Sequence, residues 1–500
     1  MKRVILMIIP VLICGMVFTG CNRQGVVITI EVQDQSDVNT LIYTVPISGT
    51  VFWGFVDTLK QNGTGTFELN LKITQPSFII IRDETSVNQV KLLVEQGENY
   101  FVSMKPEKNV QIAGANERGQ MLYATFPDPE FVELELRKFV DLRNDTISLN
   151  FVRQKINELK QSDMLKFQEL LDCGEISKSF FNFVQKDRDC YYASMEARFL
   201  LIKMYPSLRA ETKIEDELFE NLKEIYDHYP PNDDRFIFSS FWSEYANFYI
   251  TEYKQFIRED FDLQKNRELR DTEIFHTHII NEAKKHLTGK GLEFFCARYI
   301  HFECFQGSYK GNFEKEFIQL VNQFEKDYPK SKYSKYIKPY IDKIIGYHQI
   351  IEQPFEANML FMDNYETINT LEEAIKPMLG KKIYIDVWAT WCGPCKVEFV
   401  HNDALKKMLV ENDIQLLYIS IDRDEYDQKW KNEIKYHRLS GTHIRANNEF
   451  NLHLMKLFSK SEENPYIAIP WYILIDEQGN IMEERAKPPS QLVTGVKLWR

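Results

Sequence analysis

The sequence has few cysteines, a shortage of positive charge and no long apolar run beyond its first residues. Eight cysteines in 500 residues are too few for a disulfide-held scaffold. A formal net charge of −12 argues against nucleic acid or an anionic membrane surface as a partner. No segment after residue 21 is long and uncharged enough to span a bilayer, and no repeat of fixed period is found. With 44% apolar residues, the chain is predicted to be a globular protein of about three domains.

The first 21 residues have the pattern of an export signal. Basic residues precede an apolar run over residues 4–18, and small residues then lead to Cys21. The segment FTGC that ends at Cys21 resembles the lipobox of bacterial lipoproteins, although Phe18 stands where Leu, Val or Ile is usual. The resemblance implies cleavage before Cys21, a lipid anchor on Cys21 and a periplasm-facing membrane lipoprotein of the cell envelope. An uncleaved signal anchor is the alternative, and both place the rest of the chain outside the cytoplasm.

Three regions with different patterns follow the predicted signal peptide, residues 1–21. In residues 22–116, short β-branched and aromatic runs alternate with turn signals, which predicts an all-β domain built as an antiparallel sandwich or barrel. In residues 117–352, apolar residues recur every three or four positions, which predicts an all-α domain. In residues 353–500, strands and helices alternate, which predicts an α/β domain with a parallel sheet closed by an antiparallel hairpin. The predicted fold is therefore multidomain.

The β region also resembles a known domain. Its segments 56–71, 92–102 and 110–120 are similar to the all-β domain of unknown function that is often found at the N-terminus of envelope lipoproteins. The resemblance agrees with the lipobox, because both imply a protein of the cell envelope.

The cysteines and histidines of the helical region do not form a recognisable metal site. Three of them lie within nine residues: Cys296, His301 and Cys304. They spread over roughly 140° of a helix surface and lack a fourth ligand. We interpret them, like His276 and His278, as core residues, and we expect neither a metal nor a cofactor. Cys173 and Cys190 could form a bridge in an oxidising compartment, but their spacing in the sequence does not decide it.

The stretch IDVWATWCGPCKVEF, residues 385–399, combines two cysteines with one acidic residue in an apolar strand. Cys392 is predicted to follow the strand and begin a helix, where free backbone N–H groups favour its thiolate. Cys395 lies one turn later, so the pair is predicted to combine an exposed nucleophile with a buried resolving thiol, as disulfide exchange requires. Asp386 is predicted to be buried with a raised pKa, able to accept the proton of Cys395. An Asp at a sheet edge with an unseen partner is the alternative.

The segment DVWATWCGPCK resembles the active-site segment of the thioredoxin superfamily. The cysteine spacing, the paired tryptophans that end in Trp391 and the Asp six positions before the first cysteine all match. The resemblance implies a thioredoxin-like fold in which Cys392 attacks, Cys395 resolves the mixed disulfide and Asp386 accepts a proton. It also implies a cis-proline beside the cysteine pair. Pro470, directly before the apolar stretch WYILID, fits that position.

Within the superfamily, the chain resembles the TlpA/ResA-like group of exported thiol-disulfide oxidoreductases. The mark of this group is a Glu three residues past the second cysteine, and Glu398 stands there. Three positions depart from the pattern: Val400 where Pro is common, Trp471 where Thr commonly follows the cis-proline, and Tyr418 near the place of the Lys that partners the buried Asp in cytosolic thioredoxin. We expect Trp471 to make the substrate groove more apolar.

The resemblance implies an enzyme that reduces or isomerises disulfides of exported proteins, of which apocytochrome c is the best-known substrate in the family. Gly-Pro between the cysteines is similar to the reducing members, whose potentials lie near roughly −270 mV, so a membrane electron donor would have to re-reduce the pair.

Other functions are open or disfavoured on the sequence. A binding or scaffold lipoprotein of the envelope with an accessory redox domain is the main alternative. A thiol peroxidase is disfavoured, because the peroxidase motif has Thr or Ser at the position of Ala389. A zinc half-site would need a second Cys or His pair, which this domain lacks at suitable spacing. A permanent structural disulfide would need neither the tryptophans nor Asp386.

Overall fold

A computed structural model describes residues 25–492, except for 34–37, 64, 85–88, 106–108, 127–131, 139–140, 142–146, 211, 257–262, 271, 273 and 460–465. The predicted signal peptide, its lipobox and Cys21 therefore lie outside the described residues. Contacts divide the chain into a first unit, residues 1–272 with 278–298, and a second unit, residues 273–277 with 299–500. The domain boundaries predicted at residues 116 and 352 stay predictions. In the described part of the chain, no helix combines the length and the hydropathy needed to cross a membrane.

The N-terminal part of the first unit is a β region with two four-stranded sheets. Its strands are β1 (Gly25–Val32), β2 (Thr40–Thr44), β3 (Val56–Lys60), β4 (Thr66–Lys72), β5 (Ser77–Asp83), β6 (Gln89–Val94), β7 (Asn99–Lys105) and β8 (Asn109–Gly114). The orders are β4-β1-β7-β8 and β3-β2-β5-β6, and apolar side chains of both sheets share one core. One pairing differs from the prediction of antiparallel strands, because β1 and β7 run parallel. The long chain segment between them allows this, since a parallel pair needs a long crossover.

The middle of the chain is helical, as predicted. Its helices are α1 (Glu117–Ala124), α2 (Val132–Leu136), α3 (Leu149–Asp172), α4 (Lys178–Arg209), α5 (Asp216–His228), α6 (Trp242–Phe248), α7 (Lys254–Phe256), α8 (Leu263–Arg270), α9 (Phe275–His286), α10 (Gly289–Lys310), α11 (Glu316–Asp327) and α12 (Ser334–Ile351). Helices α5 and α11 each end two residues before a proline, Pro230 and Pro329 respectively. Cys173 is exposed, Cys190 is buried, and both are free thiols, so the bridge left open by the sequence is not formed.

The C-terminal part of the second unit is an α/β fold with a six-stranded sheet of order β14-β13-β10-β11-β12-β9. Its elements are β9 (Met359–Phe361), α13 (Leu371–Ile375), β10 (Lys382–Trp388), α14 (Gly393–Glu398), α15 (Asn402–Glu411), β11 (Ile414–Ser420), α16 (Asp427–Tyr436), β12 (Gly441–Arg445), α17 (Asn448–Phe458), β13 (Trp471–Ile475), β14 (Ile481–Glu483) and α18 (Pro489–Leu492). Strands β9 to β12 are parallel, and β13 and β14 form the predicted antiparallel hairpin. The short strands β9 and β12 were not predicted.

Strand β10 is the centre of this sheet and carries the redox motif at its C-terminal end. Its nearly continuous apolar sequence fits burial on both faces. Ile385 packs into the core on one face, while Tyr384 packs with Leu405 and Leu409 of α15 on the other. The loop that follows therefore starts from a rigid strand, which fixes the position of the first cysteine.

Candidate active site

The two cysteines of the motif form a disulfide where the loop after β10 enters α14. Cys392 caps α14, and its Sγ accepts a hydrogen bond from the backbone N–H of Cys395 at 3.1 Å. A donor in this position favours a thiolate on Cys392 once the disulfide is reduced. Cys392 is only 3% exposed and Cys395 is 0% exposed. The prediction of an exposed Cys392 is therefore wrong for the disulfide form, because its sulfur turns back toward the helix backbone to bond with Cys395.

The loop before Cys392 is held by Asp422, a buried residue that the sequence reasoning missed. The two carboxylate oxygens of Asp422 accept the backbone N–H and the hydroxyl of Thr390, each at 2.8 Å. The hydroxyl of Ser420 donates to the same carboxylate at 2.7 Å. Strands β10 and β11 are parallel neighbours, so their carboxyl ends meet at one sheet edge, and that adjacency was the signal available in the sequence. Asp422 thus fixes the chain two residues before the first cysteine.

Replacing this anchor should weaken the fold. In Asp422→Ala, the buried donors of Thr390 and Ser420 lose their acceptor, and we expect the free energy of unfolding to fall by about 1–3 kcal/mol. Urea denaturation of the oxidised protein measures this. The exposed Glu425→Ala is the control and should change stability by less than about 0.5 kcal/mol. Equal losses in the two variants would contradict an anchoring role for Asp422.

Asp386 lies fully buried on the central strand, paired in register with Tyr418 of β11 and Tyr472 of β13. Among the described residues, the two carboxyl oxygens of Asp386 and the hydroxyls of both tyrosines have no hydrogen-bond partner. Burial, and after it the negative charge of Glu398, raises the pKa of Asp386 well above its usual value. This position is interior, so the alternative of an edge-facing Asp is wrong. A buried carboxyl group with a raised pKa and unbonded oxygens is suited to take up a proton and return it.

Glu398, at the end of α14, is fixed by the last described helix. Its two oxygens accept the backbone N–H and the hydroxyl of Ser490 in α18, both at 2.9 Å. These hydrogen bonds hold a carboxylate close enough to Asp386 to influence its proton affinity. The sequence indicated Glu398 through its spacing, whereas Ser490 lies 92 positions further along the chain and gave no signal.

Pro470 follows the cis peptide bond Ile469–Pro470 and directly precedes β13. It lines one cavity together with Gly393 and Pro394, which we call the cystine groove. Trp391, beside the disulfide, is 62% exposed and offers an aromatic surface to a partner. Trp471 was expected to line the substrate groove. It is instead buried against the ring of Phe458, with the Arg485 guanidinium 4.5 Å from its ring centroid, so it offers no exposed apolar surface.

A buried ion pair that no sequence pattern indicated lies behind α14. The Lys396 ammonium is 3.1 Å from a carboxylate oxygen of Glu433 on α16, and Nε2 of His437 is also 3.1 Å from that carboxylate. Burial opposes ionisation of Glu433, but the His437 hydrogen bond and the Lys396 charge hold its pKa below the usual value. The pair fixes the active-site helix to α16.

One cluster has the side chains and the spacing that a metal ion would need. Ligand atoms of His276, Glu314 and Glu316 lie within 4.8 Å of one another. Glu316 accepts the backbone N–H of His276, the second residue of α9, at 3.2 Å. The ring nitrogens of His276 lie 2.9 Å from the Tyr299 hydroxyl and 3.0 Å from Glu314. Because these hydrogen bonds account for the cluster as a cap of α9, we assign it no metal role.

Comparison with known proteins points to the same region. Residues 373–494 match the Redoxin family. Over 110 residues the chain is 27% identical to the thiol-disulfide oxidoreductase ResA of Bacillus thuringiensis subsp. konkukian (strain 97-27). The aligned region covers 22% of this chain and 57% of that protein. The C-terminal region is a TlpA/ResA-like domain of the thioredoxin superfamily. The chain spans little more than half the length of the ResA proteins that it matches.

The TlpA/ResA-like domain is also similar to solved structures. A solution structure of a proposed thiol-disulfide oxidoreductase from Bacteroides vulgatus is 31% identical, with a TM-score of 0.20, covering 24% of this chain and 73% of that one. The crystal structure of StoA from Bacillus subtilis is 22% identical, with a TM-score of 0.19, covering 24% of this chain and 84% of that one.

In this TlpA/ResA-like domain, Tyr418 stands near the expected position of a lysine. Its ring stacks on that of His443 in β12, with the centroids 4.9 Å apart. Burial, and after it the charge of Asp386, raises the pKa of Tyr418 well above its usual value, so the phenol stays neutral. Burial likewise lowers the pKa of His443 to about 4. Asp386 therefore has neutral neighbours on this side, where a lysine would have supplied a positive charge.

Proposed function

We propose that this chain is a thiol-disulfide oxidoreductase that reduces or isomerises disulfides of exported proteins through Cys392 and Cys395. The observation that carries the proposal is the Cys392–Cys395 disulfide at the start of α14, on a strand whose interior holds Asp386. An isolated buried carboxyl group is costly in a structural role, whereas proton transfer during exchange gives it a use. The Redoxin match and the identity to ResA support the same chemistry.

In the proposed cycle, the reduced Cys392 thiolate attacks one sulfur of a substrate disulfide. That disulfide breaks, one substrate thiolate leaves, and a mixed disulfide forms on Cys392. Cys395 gives its proton to Asp386 and attacks the Cys392 sulfur, which releases the second substrate thiolate and forms the Cys392–Cys395 disulfide. An electron pair has then passed from the protein dithiol to the substrate. Glu398 tunes the proton affinity of Asp386, and Pro470 and Trp391 contact the substrate chain.

The proposal includes a place and partners for this cycle. The predicted lipobox supports an envelope lipoprotein that faces the periplasm and is anchored through Cys21. A dithiol electron donor in the membrane would reduce the Cys392–Cys395 disulfide after each cycle. Oxidised exported proteins are the proposed substrates, with apocytochrome c as one candidate among them.

Trapping of substrates tests the proposal directly. The reduced protein should reduce insulin disulfides, and Cys395→Ser should accumulate mixed disulfides through Cys392, because the second attack is missing. Non-reducing electrophoresis of cell-envelope extracts reveals these adducts, and dithiothreitol should release them. The double variant Cys392→Ser, Cys395→Ser is the control and should form none. If Cys395→Ser also forms no adduct, the oxidoreductase assignment is wrong.

A further inference from the structure

The cystine groove extends beyond the thioredoxin-like fold. It is a cavity of about 1070 Å³, and its lining comes from two parts of the second unit. One part is the active-site region with Gly393, Pro394 and Pro470, and the other is the end of the helical region, which contributes Phe313 and Lys343. Residues 299–351 therefore provide a second wall, which we call the helical wall.

Aromatic packing fixes the helical wall to the redox fold. The ring centroid of Phe313 is 4.5 Å from that of Tyr347 and 5.2 Å from that of Tyr436 in α16. The Lys435 ammonium donates to the carbonyl oxygen of Ile351 at 2.8 Å. The wall is thus attached to α16, the same helix that holds the active-site helix through Glu433.

A glycine allows the wall to approach the ion pair of the active-site helix. Gly311 has φ +67, in the left-handed region, and a Cβ built on it would lie 2.0 Å from the Lys396 ammonium. A side chain at this position would therefore be strained by the positive φ, and the Lys396 side chain would have to shift to make room for it. The backbone of the helical wall is therefore in direct contact with the active-site helix.

The size of the groove and its apolar floor indicate what it binds. The floor contains Val397, which is 65% exposed, and Val400, which is 76% exposed. The volume lies at the upper end of the range of about 300–1000 Å³ that is typical of small-molecule sites, so the groove has room for several residues of a polypeptide. Because the groove includes the residues beside the reactive disulfide, an occupant that presents a cystine to Cys392 is a polypeptide whose flanking residues lie along the floor.

The helical wall adds positive charge to one side of the groove. Lys343 lines it, and its ammonium lies over the Phe313 ring, 5.5 Å from the ring centroid, and forms no ion pair with a carboxylate among the described residues. Partial burial and the nearby Lys396 charge lower the pKa of Lys343, and an acidic group of an occupant would oppose both effects. Of the two carboxylates that line the groove, Glu398 is bound by Ser490, and Asp403 is exposed on α15.

We propose that the cystine groove binds the segment of a substrate polypeptide that flanks its disulfide, and that Lys343 selects segments with an acidic residue. This inference rests on the proposed oxidoreductase function. Apolar contacts with the valine floor supply affinity that is independent of charge, and an ion pair with Lys343 supplies the preference. Lys343 is thus a specificity residue that takes no part in the exchange of bonds.

Paired peptides test the preference. Each synthetic peptide carries one disulfide, and an Asp or a Lys is scanned through the positions that flank it. With dithiothreitol as the reductant, the native chain should reduce the best Asp peptide with a KM about three to ten times lower than that of its Lys counterpart. Lys343→Glu should reverse the order, and Lys343→Ala should remove it. Raising the salt concentration should reduce the difference in KM between the Asp and the Lys peptides in the native chain.

The controls separate this inference from the proposed function. Lys338→Glu makes the same charge change on the same helix, at an exposed residue that pairs with Asp342, and should keep the native preference. Bis(2-hydroxyethyl) disulfide, which is uncharged and has no flanking residues, should be reduced equally by all the chains. Equal KM values for both peptides in the native chain would overturn the role of Lys343. So would a change of KM in Lys338→Glu as large as that in Lys343→Glu. Neither result would contradict the oxidoreductase assignment. If the native chain reduces neither peptide nor insulin, the oxidoreductase assignment and this inference both fail.

Discussion

The Cys392→Ser variant is expected to lose at least about 10³-fold in kcat/KM for insulin reduction, because a serine hydroxyl cannot replace the attacking thiolate. In the structure the Cys392 sulfur accepts the Cys395 N–H at 3.1 Å, a contact that stabilises a charge that serine does not carry at neutral pH. Insulin turbidity in the presence of dithiothreitol measures the rate, and the uncatalysed reaction with dithiothreitol sets the background.

The same variant separates an enzyme from a scaffold. Cys173→Ser is a matched control, since Cys173 is a free and exposed thiol. The Cys173→Ser variant should keep full activity, and it also lacks any side reactions of the Cys173 thiol. If the chain is a scaffold with an accessory redox domain, the Cys392→Ser variant should still retain its partner on an affinity column. If it is an enzyme that binds the partner through a mixed disulfide, the variant should not retain it. Insulin reduction at the native rate by Cys392→Ser would rule out Cys392 as the nucleophile.

The Asp386→Asn variant is expected to slow disulfide exchange by about 10²-fold near neutral pH. An amide cannot accept the Cys395 proton, so the resolving attack would depend on solvent to remove it. In the native chain the rate should rise with pH as Asp386 loses its proton, whereas in the variant it should rise only with the ionisation of the Cys395 thiol itself. At alkaline pH, where the thiol ionises without help, the two rates should converge. Stopped-flow rates of mixed-disulfide resolution across the pH range measure the difference, and parallel profiles would contradict the role of Asp386.

The Asp386→Asn variant, which is expected to be slower in disulfide exchange, is expected to be more stable than the native chain. Burial raises the folded-state pKa of Asp386 above the unfolded value of about 3.9, so the folded chain binds the proton more tightly and loses stability as the pH rises from that value through the folded pKa. Asp386→Asn removes this cost and should raise the free energy of unfolding at pH 7 by about 1–3 kcal/mol. Below about pH 4 the gain should vanish. Denaturant titrations of the oxidised proteins at both pH values check it.

Glu398→Gln provides the matched control for the electrostatic origin of these effects. It removes the charge that helps to raise the Asp386 pKa, while an amide oxygen can still accept from Ser490. The pH at which exchange accelerates should therefore move down, with the rate at high pH little changed. An unchanged midpoint would mean that Glu398 does not act on Asp386.

The sequence was most informative where chemistry and local spacing coincide. The helix that begins at Cys392, the buried Asp386 and the proline before β13 all follow from short segments whose patterns carry physical constraints. Contacts between distant segments could not be predicted in this way. The Glu398–Ser490 hydrogen bonds join residues 92 positions apart. The Lys396–Glu433 ion pair forms only when α14 and α16 pack together, which the sequence does not show. Strand β12 was not predicted, because its five residues begin with a glycine and show no clear alternation of apolar and polar side chains.

The burial of Cys392 shows a second limit. Capping of α14 follows from sequence, but the direction of the sulfur depends on whether it bonds to Cys395 or to a substrate. Trp471 was likewise misjudged, because its burial depends on Phe458 and Arg485, which approach from separate loops and helices. In both cases the residue type was known and its environment was not.

The contact between Gly311 and Lys396 bears on how such chains can recombine. Thioredoxin-like domains are easily regarded as cassettes that may be fused to any neighbour. Here a crossover anywhere between residues 311 and 396 would place a segment from another parent beside Lys396, and any side chain in place of Gly311 would force the Lys396 ammonium to move. A chimera that inherits both residues from one parent keeps this contact and the ion pair of Lys396 with Glu433. The helical wall and the redox fold are therefore expected to be transmitted together as a single heritable block.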